Sequence, residues 1–251
     1  MSKIALITGG SRGLGKDMAI ALAGKGNDVI ITYHSREAEA RSVKNQIEGM
    51  GQKAAYLPLD VSNTEGFDEF IGHLKDLLQE VFQTDTFDFI VNNAGIGIHA
   101  PYAETTEEQF DLLMNVHLKS AFFLTQKTLP IMNDYGAIVN VSSGLARFSL
   151  PGYDAYAVMK GGVETLTRYQ AKTLGPRGIR SNVIAPGAIE TDFGGGVVRD
   201  NTEINGFIAS QTALGRAGLP SDIGGVVAFL CSEDAKWING QRLEVSGGMF
   251  L

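Results

Sequence analysis

The sequence predicts an α/β fold in which one seven-stranded parallel sheet is doubly wound, with helices on both faces. Two observations predict it. Short apolar runs recur at residues 3–8, 28–33, 54–59, 87–91, 136–141, 180–185 and 241–245. Most are continuous rather than alternating, as in "FDFIVNN" and "GAIVNVSS", which suits strands covered on both faces. Between them lie longer stretches of helical pattern at 14–25, 36–49, 64–82, 106–132, 156–174 and 220–231, and strand followed by helix, repeated, means parallel crossovers. No Pro/Gly/Ser-rich linker and no fixed-period repeat divides the 251 residues, so one domain over 1–251 with a substantial core is expected.

Composition narrows the function classes. The formal net charge is -7 and no basic run interrupts it, which argues against a nucleic-acid partner held by phosphate neutralisation. One cysteine and four scattered histidines leave no intrachain disulfide and no Cys/His metal cluster. A reducing, cytoplasmic setting is the expectation. No apolar stretch reaches the roughly 18 residues that span a bilayer, and the N-terminus lacks a signal-peptide pattern, so no membrane role is expected. Cys231 in "VVAFLCS" reads as a small core residue, and His117 is expected at a helix surface or interface.

Taken in order, the elements carry chemistry at their ends. The first strand runs into "ITGGSRGLGKD", residues 7–17. Glycines let the backbone turn sharply and approach a ligand, and the following helix points free N–H groups and a partial positive charge at it. A pyrophosphate is the natural occupant. The spacing is T-G-x-x-x-G-x-G rather than the commoner G-x-G-x-x-G. The fifth strand ends at Ser143, whose hydroxyl is placed to meet a substrate oxygen. Tyr156 and Lys160, four apart where a helical pattern begins, project from one face. An ammonium beside a phenol favours the phenolate, so the Tyr156 pKa is expected to fall from about 10 towards the range of an acid–base catalyst.

These residues resemble the short-chain dehydrogenase/reductase family. The likeness covers essentially the whole chain: "TGGSRGLG" at 8–15, "LDV" at 59–61, "NNAG" at 92–95, "LMNVHLKS" with Asn115, Ser143, "YAVMK" at 156–160, "PGAIETD" at 186–192 and the closing "SGG". It implies a Rossmann-type fold and catalysis by Asn115, Ser143, Tyr156 and Lys160. Tyr156 would exchange the proton, Lys160 would lower its pKa and hold the nicotinamide ribose, Ser143 would polarise the carbonyl, and Asn115 would anchor a water in a proton relay. The glycine turn, Gly9, Ser11, Arg12, Gly13, Leu14 and Gly15, would hold the cofactor phosphates. Asp60 and Val61 would meet the adenine, and Asn93, Ala94 and Gly95 would lie beside the adenosine ribose. Pro186, Gly187, Ile189 and Thr191 would close over the nicotinamide.

The second strand ends in "TYHSRE", where Tyr33 stands in the place of the acidic residue typical of NAD enzymes. With His34, Ser35 and Arg12 nearby, cations and hydroxyls suit a 2′-phosphate, so NADP(H) is the expected cofactor. The expected reaction is reduction of a small free ketone. A 3-oxoacyl-thioester reductase is the alternative, and a nicotinamide-binding module without catalysis a third. Asp134, nine residues before Ser143, stands where carrier-protein reductases have a basic residue; Arg177, at the other docking position, is basic. Substrate choice is expected to lie in the loop 188–212, and the apolar series Phe110, Leu113, Met114, Leu118, Phe122, Leu124, Val163, Leu166 and Tyr169 implies a homotetramer.

Overall fold

Seven strands form one parallel sheet in the computed structural model, which describes residues 2–251. They are β1 (Ile4–Ile7), β2 (Asp28–Tyr33), β3 (Ala54–Pro58), β4 (Phe87–Asn92), β5 (Met132–Val141), β6 (Arg180–Pro186) and β7 (Arg242–Val245), in the order β3-β2-β1-β4-β5-β6-β7. Every pairing is parallel, and all seven apolar runs became strands. Their continuity has a direct cause. Side chains alternate across a strand, so Ala5 and Ile7 enter one core while Ile4 and Leu6 enter the other.

The first core is closed by α1 (Gly13–Ala23), α2 (Glu37–Gly49) and α9 (Ser221–Leu230), through Met18, Leu22, Val43, Ile47, Ile223 and Val227. The second is closed by α3 (Phe67–Leu77) and α5 (Ser120–Thr128), through Phe67, Phe70, Leu74 and Leu124, with Leu174 from the end of α6 (Asp154–Leu174). Cys231 is buried in the first core, where desolvation pushes its thiol up to about 12. Among the described residues no helix is long and apolar enough to cross a membrane.

Three local details add to the expected pattern. The stretch 188–212 contains two helices, α7 (Val197–Asp200) and α8 (Thr202–Ser210), the latter capped by the Asn201 side chain, which accepts from Glu203 N–H and Ile204 N–H. The helix expected over 106–132 forms as α4 (Glu107–Leu113), a wide turn at Met114–Lys119 and α5, helical throughout. Strand β5 also begins earlier than expected, with Met132 opposite Phe87 before a register irregularity. The apolar series on these helices divides: Leu113, Leu124 and Val163 are core, whereas Phe110, Phe122 and Tyr169 are exposed.

The strand order reverses between β1 and β4, whose neighbours β2 and β5 lie on opposite sides. Crossover connections from the two leave in opposite directions, opening a crevice at their carboxyl ends. The glycine turn follows β1 and the "NNAG" turn follows β4, so both predicted binding segments sit at that crevice.

Candidate active site

The cradle begins where β1 stops. Thr8 is buried, and its hydroxyl accepts from the N–H groups of Asn93 and Ala94 at 3.0 Å each. In return, the Asn93 amide donates to the carbonyls of Thr8 and Gly9 at 2.8 and 3.1 Å. Asn93 thereby ties the two turns into one surface. Gly9 has φ of 65°, and a Cβ at Gly15 would lie 2.2 Å from the Gly9 carbonyl. Only glycine permits so close a passage. Arg12 precedes α1 in extended conformation, and the first turn of the helix has neither a side-chain cap nor an acidic residue. Its free N–H groups and positive dipole end therefore face the crevice, which fits a pyrophosphate.

The neighbouring segments line the same edge. Tyr33 ends β2 with its ring edge-on to Tyr56 at 5.8 Å, and Ser35 and His34 follow in exposed positions, the imidazole 3.8 Å from the Asp60 carboxylate. Burial pushes the Asp60 carboxyl up, but hydrogen bonds from Ser62 and the nearby His34 outweigh it and leave the pKa below its usual value. Val61 is half-buried against the second core. On the far side Pro186 ends β6, Gly187 N–H bonds the Val245 carbonyl, Ile189 pairs with Gly218, and the Thr191 methyl lies against Gly13. Arg12 does not turn towards Ser35. Its guanidinium crosses the crevice to Asp192 at 3.2 Å, and Arg199 holds the other oxygen of that carboxylate at 2.7 Å.

A buried cluster lies beside the cradle. Ser143 lies two residues beyond the end of β5, while Tyr156 and Lys160 stand one turn apart on α6, both under a tenth exposed. Lys160 Nζ donates to the Val141 carbonyl at 2.7 Å and sits 5.5 Å from the centre of the Tyr156 ring. The expected lowering of the Tyr156 pKa does not occur. Burial of the phenol dominates and raises it above the ordinary value, opposed by the nearby Ser143 hydroxyl. Burial also lowers the Lys160 ammonium to about 7. The phenol is thus protonated at neutral pH, as a proton donor must be.

The fourth member differs from the expectation. Asn115 is only half-buried and makes no side-chain hydrogen bond, whereas His117, expected at a surface, is 4% exposed and stands edge-on to Tyr156 with ring centres 5.1 Å apart. Both residues lie in the wide turn, in which Ser120 N–H reaches back five residues to the Asn115 carbonyl. Such turns are frequent at functional sites. Residues 115 and 117 point to nearly opposite sides of a helix, so presenting His117 to Tyr156 turns Asn115 away. The His117 Nε2 meets the Ile96 carbonyl at 2.8 Å, which makes it the protonated nitrogen and leaves Nδ1 as a buried acceptor with no partner. Burial, followed by the Lys160 charge, holds the imidazole well below its ordinary pKa and therefore neutral. A small cleft, lined by Thr8, Asn92, Ala94, His117 and Lys160, lies between the cluster and the cradle.

A family model described as enoyl-(acyl carrier protein) reductase matches residues 9–250. The chain is 35% identical to a hydroxynaphthalene reductase-like protein of Metarhizium majus, covering 98% of this chain and 94% of that protein. It is 34% identical to the 3-oxoacyl-[acyl-carrier-protein] reductase of Staphylococcus aureus over 100% of this chain and 99% of the other. Among solved structures, LugOII, a promiscuous reductase catalysing keto-reduction at C1 in lugdunomycin biosynthesis, superposes with a TM-score of 0.94 at 37% identity, covering 99% of this chain and 98% of its own. The angucycline C-6 ketoreductase LanV with bound NADP also gives 0.94, at 34% identity, covering 99% and 95%. The chain belongs to the short-chain dehydrogenase/reductase family and is an oxidoreductase.

Proposed function

We propose that this protein is an NADPH-dependent reductase that reversibly converts a free ketone to a secondary alcohol, with Tyr156 as proton donor. The observation that carries this reading is the cluster of buried Tyr156, Lys160 and His117 with half-buried Ser143, set beside the glycine cradle. The cofactor, when bound, supplies the hydride. The protein's own residues supply the rest. Ser143 donates a hydrogen bond to the carbonyl oxygen, Tyr156 delivers its proton as that oxygen becomes an alkoxide, and Lys160 stabilises the phenolate left behind. His117 takes over the place expected of Asn115, its Nδ1 offering an acceptor to a water in the cleft that Lys160 also lines.

Gly9, Ser11, Gly13, Leu14 and Gly15 would hold the pyrophosphate, and Arg12, Tyr33, His34 and Ser35 the 2′-phosphate. No carboxylate stands at positions 33–35 to repel it. The NADP bound to LanV supports the same choice. Asp60, Val61, Asn93, Ala94 and Gly95 line the adenosine side, and Pro186, Gly187, Ile189 and Thr191 the nicotinamide side.

A free ketone is favoured over a carrier-bound thioester because Arg177 is already consumed. It pairs with Asp134 at 2.7 Å and donates to the carbonyls of Leu129 and Met132, so its charge is already matched rather than offered to a carrier's acidic helix. The 3-oxoacyl reductase of S. aureus keeps the thioester as the alternative. A cytoplasmic homotetramer is the assembly we favour, supported by the exposed Phe110, Phe122, Val158 and Tyr169 on α4, α5 and α6. NADPH oxidation against a panel of acetoacetyl thioesters and aryl and alkyl ketones tests the reading. Higher kcat/KM on ketones is expected; turnover confined to thioesters would install the alternative.

A further inference from the structure

Among the described residues, Phe193 is the aromatic side chain that brings the stretch after β6 against the proton donor. Its ring centre lies 6.0 Å from that of Tyr156, tilted by 59°. The ring rests on Gly97, where a Cβ would come within 2.9 Å of its Cε1, so a side chain at residue 97 would push the ring from this seat. Despite that seat, Phe193 is 44% exposed. One side of a large apolar ring is thus left uncovered immediately beside the group that must meet a carbonyl oxygen.

The mounting of this ring is unusual on both sides. Upstream, Phe193 N–H bonds the Thr191 hydroxyl at 3.2 Å, and Asp192 is held by Arg12 and Arg199. Downstream come Gly194, Gly195 and Gly196 with φ of 62°, 78° and 79°. Three successive left-handed residues are readily available only to glycine, and they separate the ring from α7 by a segment that can change direction at little steric expense. On the other side of the proton donor, Tyr153 lines a small pocket with Tyr156 and stands edge-on to His99 at 5.1 Å.

We infer that Phe193 is the specificity-determining residue for ketones whose carbonyl is fused to a planar aromatic ring, the exposed ring serving as an adjustable wall that stacks on the substrate while its oxygen reaches Tyr156. The inference rests on the ketone-reductase reading and adds the substrate class. A flat ring covers the exposed face of Phe193 with the offset or edge-on geometry aromatic pairs prefer, whereas a saturated ring of equal size offers no quadrupole and a thicker profile. The contact is made by the bound substrate away from the reacting atoms, so its loss acts mainly through KM.

The test compares wild type with Phe193→Ala and Phe193→Tyr on α-tetralone, a decalone of similar size without the aromatic ring, and ethyl acetoacetate. For Phe193→Ala we expect kcat/KM on α-tetralone to fall by about tenfold, chiefly in KM, and the other two ketones to change by less than about threefold. Phe193→Tyr keeps the stacking ring and is expected to retain the preference for α-tetralone. An equal loss on all three ketones would mean that Phe193 only holds the loop, and would overturn the inference while leaving the reductase reading intact. Wild type that reduces ethyl acetoacetate but not α-tetralone would do the same. No turnover of any ketone by wild type that binds NADPH would overturn both.

Discussion

Lys160 donates to the Val141 carbonyl at 2.7 Å while its ammonium lies 5.5 Å from the centre of the Tyr156 ring. The lysine is therefore anchored to β5 and stands beside the phenol without being spent on it. Burial acts on the two groups in opposite directions, raising the phenol and lowering the ammonium to about 7. Both shifts favour neutral forms, as desolvation must.

A pH dependence of stability follows from Lys160. Its pKa falls from 10.5 in the unfolded chain to about 7 when folded. Below pH 7 the group is charged in both states, and the folded protein bears the full penalty of burying it. Between pH 7 and 10.5 the unfolded chain binds more protons, so this contribution to stability improves as pH rises. Lys160→Met removes the titration. Thermal melts are expected to show the variant's advantage over wild type shrinking from pH 6 to pH 9; a gap independent of pH would contradict the burial of a titrating ammonium.

Gly15→Ala should damage both cradle and fold. The new Cβ would lie 2.2 Å from the Gly9 carbonyl and 2.6 Å from the Asn93 amide, so backbone must move. Overpacking of this kind costs about 1–3 kcal/mol. A lower Tm together with weaker NADPH binding, read by nucleotide fluorescence, is the expected outcome. Binding of wild-type strength would show that the turn does not carry the pyrophosphate.

Cofactor choice depends on Arg12, which is held by an exposed, weakly stabilising pair with Asp192. A 2′-phosphate competes readily for such a guanidinium. Arg12→Ala is expected to lose about 10- to 150-fold in kcat/KM with NADPH, the value of a charge-assisted hydrogen bond, and little with NADH. Parallel losses with both nucleotides would place Arg12 in loop anchoring instead.

Much of this was legible in the sequence, for identifiable reasons. Buried parallel strands such as Phe87–Asn92 are continuous apolar runs, and the glycine turn and the Tyr156/Lys160 pair depend on short spacings that local geometry preserves. The site failed to be legible where helical counting broke. Within the wide turn at Met114–Lys119 it is His117, not Asn115, that stands beside Tyr156, and no periodicity announces such a turn. Helix α8 was hidden by the three glycines before it, although Asn201 followed by Thr202 and Glu203 was a usable start signal. The tie between Arg177 and Asp134 crosses 43 residues and needed the fold to bring it together.

The most direct test of Tyr156 as the proton donor is kcat for NADPH oxidation with a saturating ketone at neutral pH, wild type against Tyr156→Phe, with NADPH affinity measured on the same samples. The substitution removes one hydroxyl and leaves the glycine cradle untouched. A fall of about 10²- to 10⁴-fold in kcat with nearly unchanged affinity is expected, the range of general acid catalysis. A variant keeping more than about a tenth of wild-type kcat would contradict it.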